Sequence, residues 1–348
     1  MSQMEGGELG HEIVANMVKI TRERIGGQGL ANAKASLPLI KKGKTIRDLA
    51  RQQIGQGDTA LVVAAGPSIK RRDPGPLIKS SGYNGAVIVP DGGIRYCLVN
   101  DIIPDLIVTA DPHTTRIVRW FGDPELREPH LASDDYYRRQ DMDASFADEL
   151  RINSEMLELL DRHASRLKIA LCSSASPAVV KRVHDAGLDI YWWNPMYDDP
   201  AAPESVTRKL YEENGLPCVN GGGNVGSACW MLAAEVLNKR HVGLCGIDFS
   251  YYDDTPYYNT QYYHEAVAIA GKDNLDSIYI RIYNPYEKKW FYTDPAYMWY
   301  RECLLDMVGE ADCKTYNCTE GGIVFGDGLE YVPLKIFLAD IAHARGAL

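Results

Sequence analysis

Glycine, serine and acidic side chains punctuate this chain where a phosphate, a ribose or a transferred proton could be handled. Gly66-Pro67-Ser68 closes the run Thr-Ala-Leu-Val-Val-Ala-Ala. The glycine admits close backbone approach, the proline sets the turn, and the serine offers a hydroxyl and an N–H at the mouth of a loop. Lys70, Arg71 and Arg72 follow at once, either to neutralise phosphate or as a solvated basic tip. Asp91-Gly92-Gly93 closes a second apolar run; an aspartate there suits a ribose hydroxyl or a metal-bound water, and equally a helix cap. A third run ends in Asp111-Pro112-His113, which makes Asp111 the best-placed carboxylate for a metal or a general base and His113 a candidate base or phosphate donor. Further on, Gly221 to Gly226 satisfies G-x-G-x-x-G and opens a helical pattern through Gly223, Asn224, Gly226 and Ser227. The run before it contains Pro217 and Asn220 and makes a poor first dinucleotide strand, so the turn speaks for an anion at a helix start rather than for NAD. Asp248 ends the next strand, where a ribose-binding acid would sit. Glu320, in Thr319-Glu320-Gly321-Gly322, either adds a carboxylate to the site or lies in a glycine turn before a strand at Ile323–Phe325.

The elements that must position these residues are short apolar runs bounded by turn residues, the signature of strands buried on both faces. Strands are expected at Ala60–Ala65, Ala86–Pro90, Leu106–Ala110, Lys168–Cys172, Leu188–Trp193 and His241–Ile247, and helices at Ile94–Asn100, Ser145–Arg166, Pro177–Ala186 and Val225–Lys239. That alternation implies right-handed βαβ units and an α/β fold: a Rossmann-like, mostly parallel sheet with flanking helices. Ligands of such sheets bind beyond the carboxyl ends of the strands, which places the loops above on one edge. Residues 121–143, charged and without an apolar period, read as a long loop or excursion near that edge, a lid or a disordered segment.

Residues 1–57 read as a helical N-terminal arm. An amphipathic helix spans Glu12 to Ile25, Gly26, Gly27 and Gly29 end it, and a second helix follows at Thr45–Ile54 with Thr45 as N-cap. Residues 58–250 form the Rossmann-like core. Residues 251–348 are a mixed addition: a tyrosine-rich stretch from Tyr251 to Tyr263 suited to a sugar or to an oligomer contact, strands at Ile278–Tyr283 and Lys289–Tyr292, and helices at Tyr297–Val308 and Leu334–Ala342. The net charge of −10 argues against a nucleic-acid binder held by phosphate contacts. The eight cysteines have no C-x-x-C spacing, so buried reduced thiols are expected. No run approaches the ~18 apolar residues of a membrane span and no signal-peptide core is present, which together suggest a cytoplasmic protein that does not engage a membrane. The arm and the tyrosines hint at a homo-oligomer.

Taken in order, V-V-A-A-G-P-S-I, D-G-G-I-R-Y-C-L-V-N-D-I-I-P-D-L-I-V-T-A-D-P, G-G-N-V-G-S-A with G-I-D-F, and N-C-T-E-G-G-I-V-F-G resemble the motility-associated factor (Maf) flagellin glycosyltransferases. They equally resemble the wider MptE-like domain family, named for an archaeal 6-hydroxymethylpterin diphosphokinase. The likeness covers roughly residues 59–112 and 218–330. On the Maf side it implies transfer of a nonulosonic sugar from a CMP-sugar donor to Ser or Thr of a flagellin-like acceptor. Gly66, Pro67, Ser68, Gly223, Asn224, Gly226 and Ser227 would then hold the donor phosphate, and Asp91 with Gly92 and Asp248 the ribose, base or sugar. Asp111, His113 and Glu320 would serve catalysis. The G-P-S loop also resembles that of bacterial sialyltransferases, except that Ala65 stands where they have Asn. On the diphosphokinase side the resemblance implies ATP and Mg²⁺ held by paired aspartates, whereas Thr109-Ala110-Asp111-Pro112 brings one acid, leaving Asp111 as the possible Mg²⁺ ligand. A nucleotide-sugar-binding protein without turnover is a third reading.

Overall fold

The computed structural model describes residues 3–134 and 145–341. With strands numbered along the chain, β2 (Lys44–Thr45), β3 (Thr59–Val63), β4 (Ala86–Pro90), β5 (Leu106–Thr109), β6 (Lys168–Cys172), β7 (Asp189–Pro195), β8 (Cys218–Val219), β9 (His241–Cys245), β13 (Lys314–Asn317) and β14 (Leu329–Tyr331) form one ten-stranded sheet. Its order is β14-β13-β9-β3-β4-β5-β6-β7-β2, with β8 also on β7, and every pairing is parallel. The remaining strands, β1 (Met4–Glu5), β10 (Tyr251–Tyr252), β11 (Ile280–Asn284) and β12 (Lys289–Thr293), form a small antiparallel sheet. The expected Rossmann-like α/β architecture is therefore present. β3, β4 and β5 are buried along their whole length, as helix-covered parallel strands must be. The central sheet takes β2 from residues 1–57 and β13 and β14 from the C-terminal stretch, so both flanks of the sequence contribute to it.

Local signals place several helices correctly. Pro177–Ala186 starts with Ser176 accepting the Val179 amide and Pro177 at its first position, and ends on Gly187 at φ 83°. Thr45 and Asp48 form a capping box, although that helix covers only Ile46–Leu49. Elsewhere packing overrides propensity. The arm helix does not stop at Gly26: it runs from Met17 to Ile40, after a short helix at Glu8–Val14. A side-chain carbon at Gly26 would lie 3.0 Å from Val206, and one at Gly29 would lie 2.7 Å from the Tyr197 hydroxyl. Glycine here lets the helix close on Val206–Asn214, with Ala33, Val206 and Leu210 buried between them. That contact offsets a propensity cost of about 1 kcal/mol per glycine.

Three further expectations change. No strand forms at Ile323–Phe325, because side chains take its carbonyls: Arg301 donates to Ile323 and Phe325, and Asn317 to Val324. Val225–Lys239 is α-helical only to Met231 and continues as a π turn over Leu232–Val236. The C-terminal helix is likewise α over Leu334–Ile336 and π over Phe337–Ile341, and Ala342 lies outside the described residues. Of the 121–143 excursion, residues up to 134 are described and include a short helix at Glu128–Ala132. The tyrosines of 251–263 mainly turn inward rather than outward to a sugar or a partner. Tyr251 stacks on Tyr292 and Tyr297 at 5.3 Å and donates to the buried Asp294, and Tyr257 stacks on Tyr279 at 4.2 Å. Tyr251 and Tyr257 help form the core of the small sheet because their rings fill it while their hydroxyls donate to Asp294 and Asp276. The eight cysteines are free thiols. Among the described residues no helix is long and apolar enough to cross a membrane.

Candidate functional site at the carboxyl edge of the sheet

Strand order reverses between β3 and β9, and the loops after these two strands meet there. Ser68 donates its amide to Asp248 Oδ1 (3.2 Å) and its hydroxyl to Asp248 Oδ2 (2.7 Å). Both side chains are 2% exposed. Burial pushes the Asp248 carboxyl up to about 7, and the bonds from Ser68 pull in the opposite direction. A side-chain carbon at Gly66 would sit 2.1 Å from Asp248 Oδ2, so the glycine is needed for the carboxylate to approach. The expected phosphate donors of Ser68 are thus committed to an internal carboxyl group.

The C-terminal stretch covers this crevice. A side-chain carbon at Gly321 would lie 2.7 Å from the Tyr252 hydroxyl and 3.5 Å from Asp248 Oδ1. Arg72 donates to the Glu320 carbonyl (2.9 Å) and pairs with Glu287 (2.6 Å). Arg71 pairs with Asp254 and stacks 4.3 Å over the Tyr252 ring. The two arginines therefore clamp the C-terminal addition onto the Pro67–Arg72 helix. The Glu320 carboxylate accepts the Leu334 amide at 3.4 Å.

The neighbouring loops stay open. Ala65, Asp111 and Gly223 are exposed, and Gly92, His113 and Asn224 are half-buried. A side-chain carbon at Gly92 would be 3.4 Å from Ala65 Cβ, which joins the β3 and β4 loops into one wall. Asp91 is buried under it, accepting the Gly92 amide (2.8 Å) and the Thr109 hydroxyl (2.7 Å). Burial is the main cause that raises its carboxyl to about 7, and the negative charge of Asp111 adds to the rise. Asp111 accepts the His113 amide (2.8 Å). His113 Nδ1 accepts the amides of Thr115 (3.3 Å) and Arg116 (3.2 Å). Burial, then the Arg116 charge, lowers its pKa. With Nδ1 engaged as an acceptor the neutral ring carries its proton on Nε2, which makes His113 a donor rather than a base. Asp111 is the carboxylate free to face a ligand; among the described residues no three His, Cys, Asp or Glu groups gather to hold a metal ion.

The glycine turn forms the opposite wall. Asn224 caps the Val225–Met231 helix by accepting the Ser227 amide (2.9 Å), while its amide group donates to the Ser227 hydroxyl (2.8 Å) and the Gly222 carbonyl (3.2 Å). Gly223, at φ 79°, packs where a side-chain carbon would come within 2.3 Å of Trp299 and 3.0 Å of Tyr300, both on the Pro295–Glu310 helix. A carbon at Gly226 would lie 3.4 Å from Ile247, which ties this turn to the end of β9.

Sequence reasoning missed one wall entirely. The Met17–Ile40 helix lies against the β5 and β6 loops, where Asn32, 3% exposed, donates to the carbonyls of Pro112 (3.0 Å) and Ser174 (2.9 Å) and accepts from Gln28 (2.9 Å). Arg24, Gln28 and Asn32 stand four residues apart on one helix face, a spacing hidden by the expectation that the helix ends at Gly26.

No protein-family model matches the chain, and no curated protein matches it by sequence. Among solved structures, it is similar to a Maf glycosyltransferase from Magnetospirillum magneticum AMB-1, with a TM-score of 0.52 and 14% sequence identity. The match covers 91% of this chain and 42% of that one, so this chain spans less than half the length of the neighbour. The fold is Maf-like.

Proposed function

We propose that the protein is a transferase using a nucleotide-activated donor, and that it moves a nonulosonic sugar from a CMP-sugar to Ser or Thr hydroxyls of a flagellin-type acceptor. The observation that carries this reading is the exposed Asp111 carboxylate at the open part of the carboxyl edge, in a Maf-like fold. In the step, the acceptor oxygen bonds to the anomeric carbon, the bond from that carbon to the phosphate oxygen breaks with its electron pair leaving on CMP, and the hydroxyl proton passes to Asp111. His113 Nε2–H is suited to the departing phosphate. The Ser68–Asp248 pair shapes the floor beside the donor rather than cradling its phosphate.

Titration of the full chain with CMP, and separately with ATP and Mg²⁺, followed by thermal melting, tests the reading. CMP is expected to raise the melting temperature, and Asp111→Asn to keep that shift while losing at least 100-fold in turnover with a CMP-sugar. A shift with ATP and Mg²⁺ and none with CMP would sink it. That result is the province of a second reading, pyrophosphoryl transfer to a pterin-like alcohol. It draws on the nearness of Asp91 to Asp111, which brings two carboxyls together where the loop sequence alone shows one. Mg²⁺ bound to a triphosphate would be met there by Asp111, with Asp91 behind it.

A further inference from the structure

The polar row on the Met17–Ile40 helix does more than brace loops. Asn32 is its buried end, tied to the β5 and β6 loops, and Gln28 leans on Asn32. Arg24 is one turn further out, at the open end of the row, and is paired with Glu265 on the Tyr263–Ala270 helix at 3.1 Å. Tyr262 precedes that helix, and its hydroxyl lies 3.3 Å from the hydroxyl of Tyr300, which packs against Gly223. Arg24 therefore joins two elements that each reach the mouth, its own helix through Asn32 at the β5 loop and the Tyr263–Ala270 helix through Tyr262 and Tyr300.

The charges around that mouth need such a group. Asp111 is exposed at it and Asp91 is buried beneath it, and an anionic ligand would be repelled wherever they are ionised. Other nearby arginines are held by their own partners. Arg71 and Arg72 clamp the C-terminal stretch, and Arg116 makes a two-point contact with Asp134 at 2.8 and 2.9 Å. The Arg24–Glu265 pair is different: its side chains are 58% and 41% exposed, and a single contact joins two helices 241 residues apart. A pair this exposed adds little net stability, so exchanging its carboxylate for another anion costs little. A guanidinium matches a phosphate or carboxylate in a planar, two-point geometry.

We propose that Arg24 binds the anionic group of the ligand at this mouth, and that Glu265 occupies Arg24 until the ligand displaces it. The inference rests on the nucleotide-activated-donor reading for the kind of ligand, and it adds a recognition residue on the N-terminal helix. Glu265 then competes with the ligand, so the two residues of one ion pair have opposite effects on affinity. A pair that merely held two helices together would give changes of the same sign.

Calorimetry on the full chain with CMP, cytidine and inorganic pyrophosphate separates these outcomes. Arg24→Gln is expected to weaken CMP and pyrophosphate about tenfold or more and to leave cytidine within about twofold. Glu265→Gln is expected to tighten CMP and pyrophosphate by about two- to fivefold. Binding of CMP and pyrophosphate unchanged by Arg24→Gln, an equal loss for cytidine, or weakening by both variants overturns the inference while leaving the donor reading standing. Arg24-dependent pyrophosphate binding without CMP binding supports the inference and removes the CMP-sugar reading. Failure of the wild-type protein to bind either anion overturns both.

Discussion

Replacing Asp248 by asparagine tests the idea that this carboxyl is held at the switch point at a cost. The substitution keeps shape and hydrogen bonding: the amide oxygen still accepts from the Ser68 N–H, and the amide N–H can donate to the Ser68 hydroxyl, which lie 3.2 and 2.7 Å from the present oxygens. Asp248 is 2% exposed, and burial lifts its carboxyl from an ordinary 3.8 to about 7. The folded protein thus holds its proton more tightly than the unfolded chain does. A raised carboxyl favours folding most below the unfolded pKa, and that contribution is lost as pH rises through about 7. Between pH 5 and pH 8 this group alone should cost the wild type about 2–3 kcal/mol. Asp91 and Asp294 are raised for the same reason, to about 7 and about 6, but they are common to both proteins and cancel in the comparison. Urea unfolding of wild type and Asp248→Asn at pH 5 and pH 8 reads the effect directly. The stability of the variant relative to wild type should rise by about 2–3 kcal/mol at the higher pH. An unchanged difference would mean that Asp248 is already ionised in the folded protein at pH 5, and the reasoning from burial would be refuted.

Two more substitutions probe the scaffold. Asn32→Ala strands the buried carbonyls of Pro112 and Ser174 and should cost about 2–4 kcal/mol, or a melting temperature lower by roughly 3–6 °C; a melt within a degree of wild type would contradict the role given to this side chain. Gly66→Ala forces a methyl to within 2.1 Å of Asp248 and 2.5 Å of the Gly246 carbonyl, and should lower stability by about 1–3 kcal/mol in urea unfolding; an unchanged unfolding midpoint would contradict the close approach argued here.

The legible part of this protein is the part set by neighbours in sequence. β4 and β6 and the Pro177–Ala186 helix lie where apolar runs, caps and turn residues put them, because those signals act over a few residues. The loops at their carboxyl ends are legible as positions for the same reason. Their chemistry is less so. Ser68 reads as a free phosphate donor until Asp248, 180 residues away, is seen to accept both of its bonds. His113 reads equally as a base or a phosphate donor until its Nδ1 is seen to accept two backbone amides, which leaves Nε2–H to donate. The tyrosine-rich stretch reads as a sugar site or an oligomer contact until Tyr251 is seen packed on Tyr292, Tyr297 and Asp294, and Tyr257 on Tyr279.

From its sequence alone, then, this chain determines a buried parallel α/β sheet and an edge studded with small and acidic residues. Hydrophobic period and turn chemistry suffice for that, since both depend on adjacent residues. Tertiary structure decided which half of the edge is closed and which is open, and which donors remain for a ligand. It also carried a glycine-containing helix past Gly29 to place Asn32 against the Pro112 carbonyl, next to Asp111. These outcomes depend on desolvation and on contacts between residues far apart in the chain. A glycine ends a helix or extends it according to what packs against it, and an aspartate is charged or neutral according to how much water the fold leaves it.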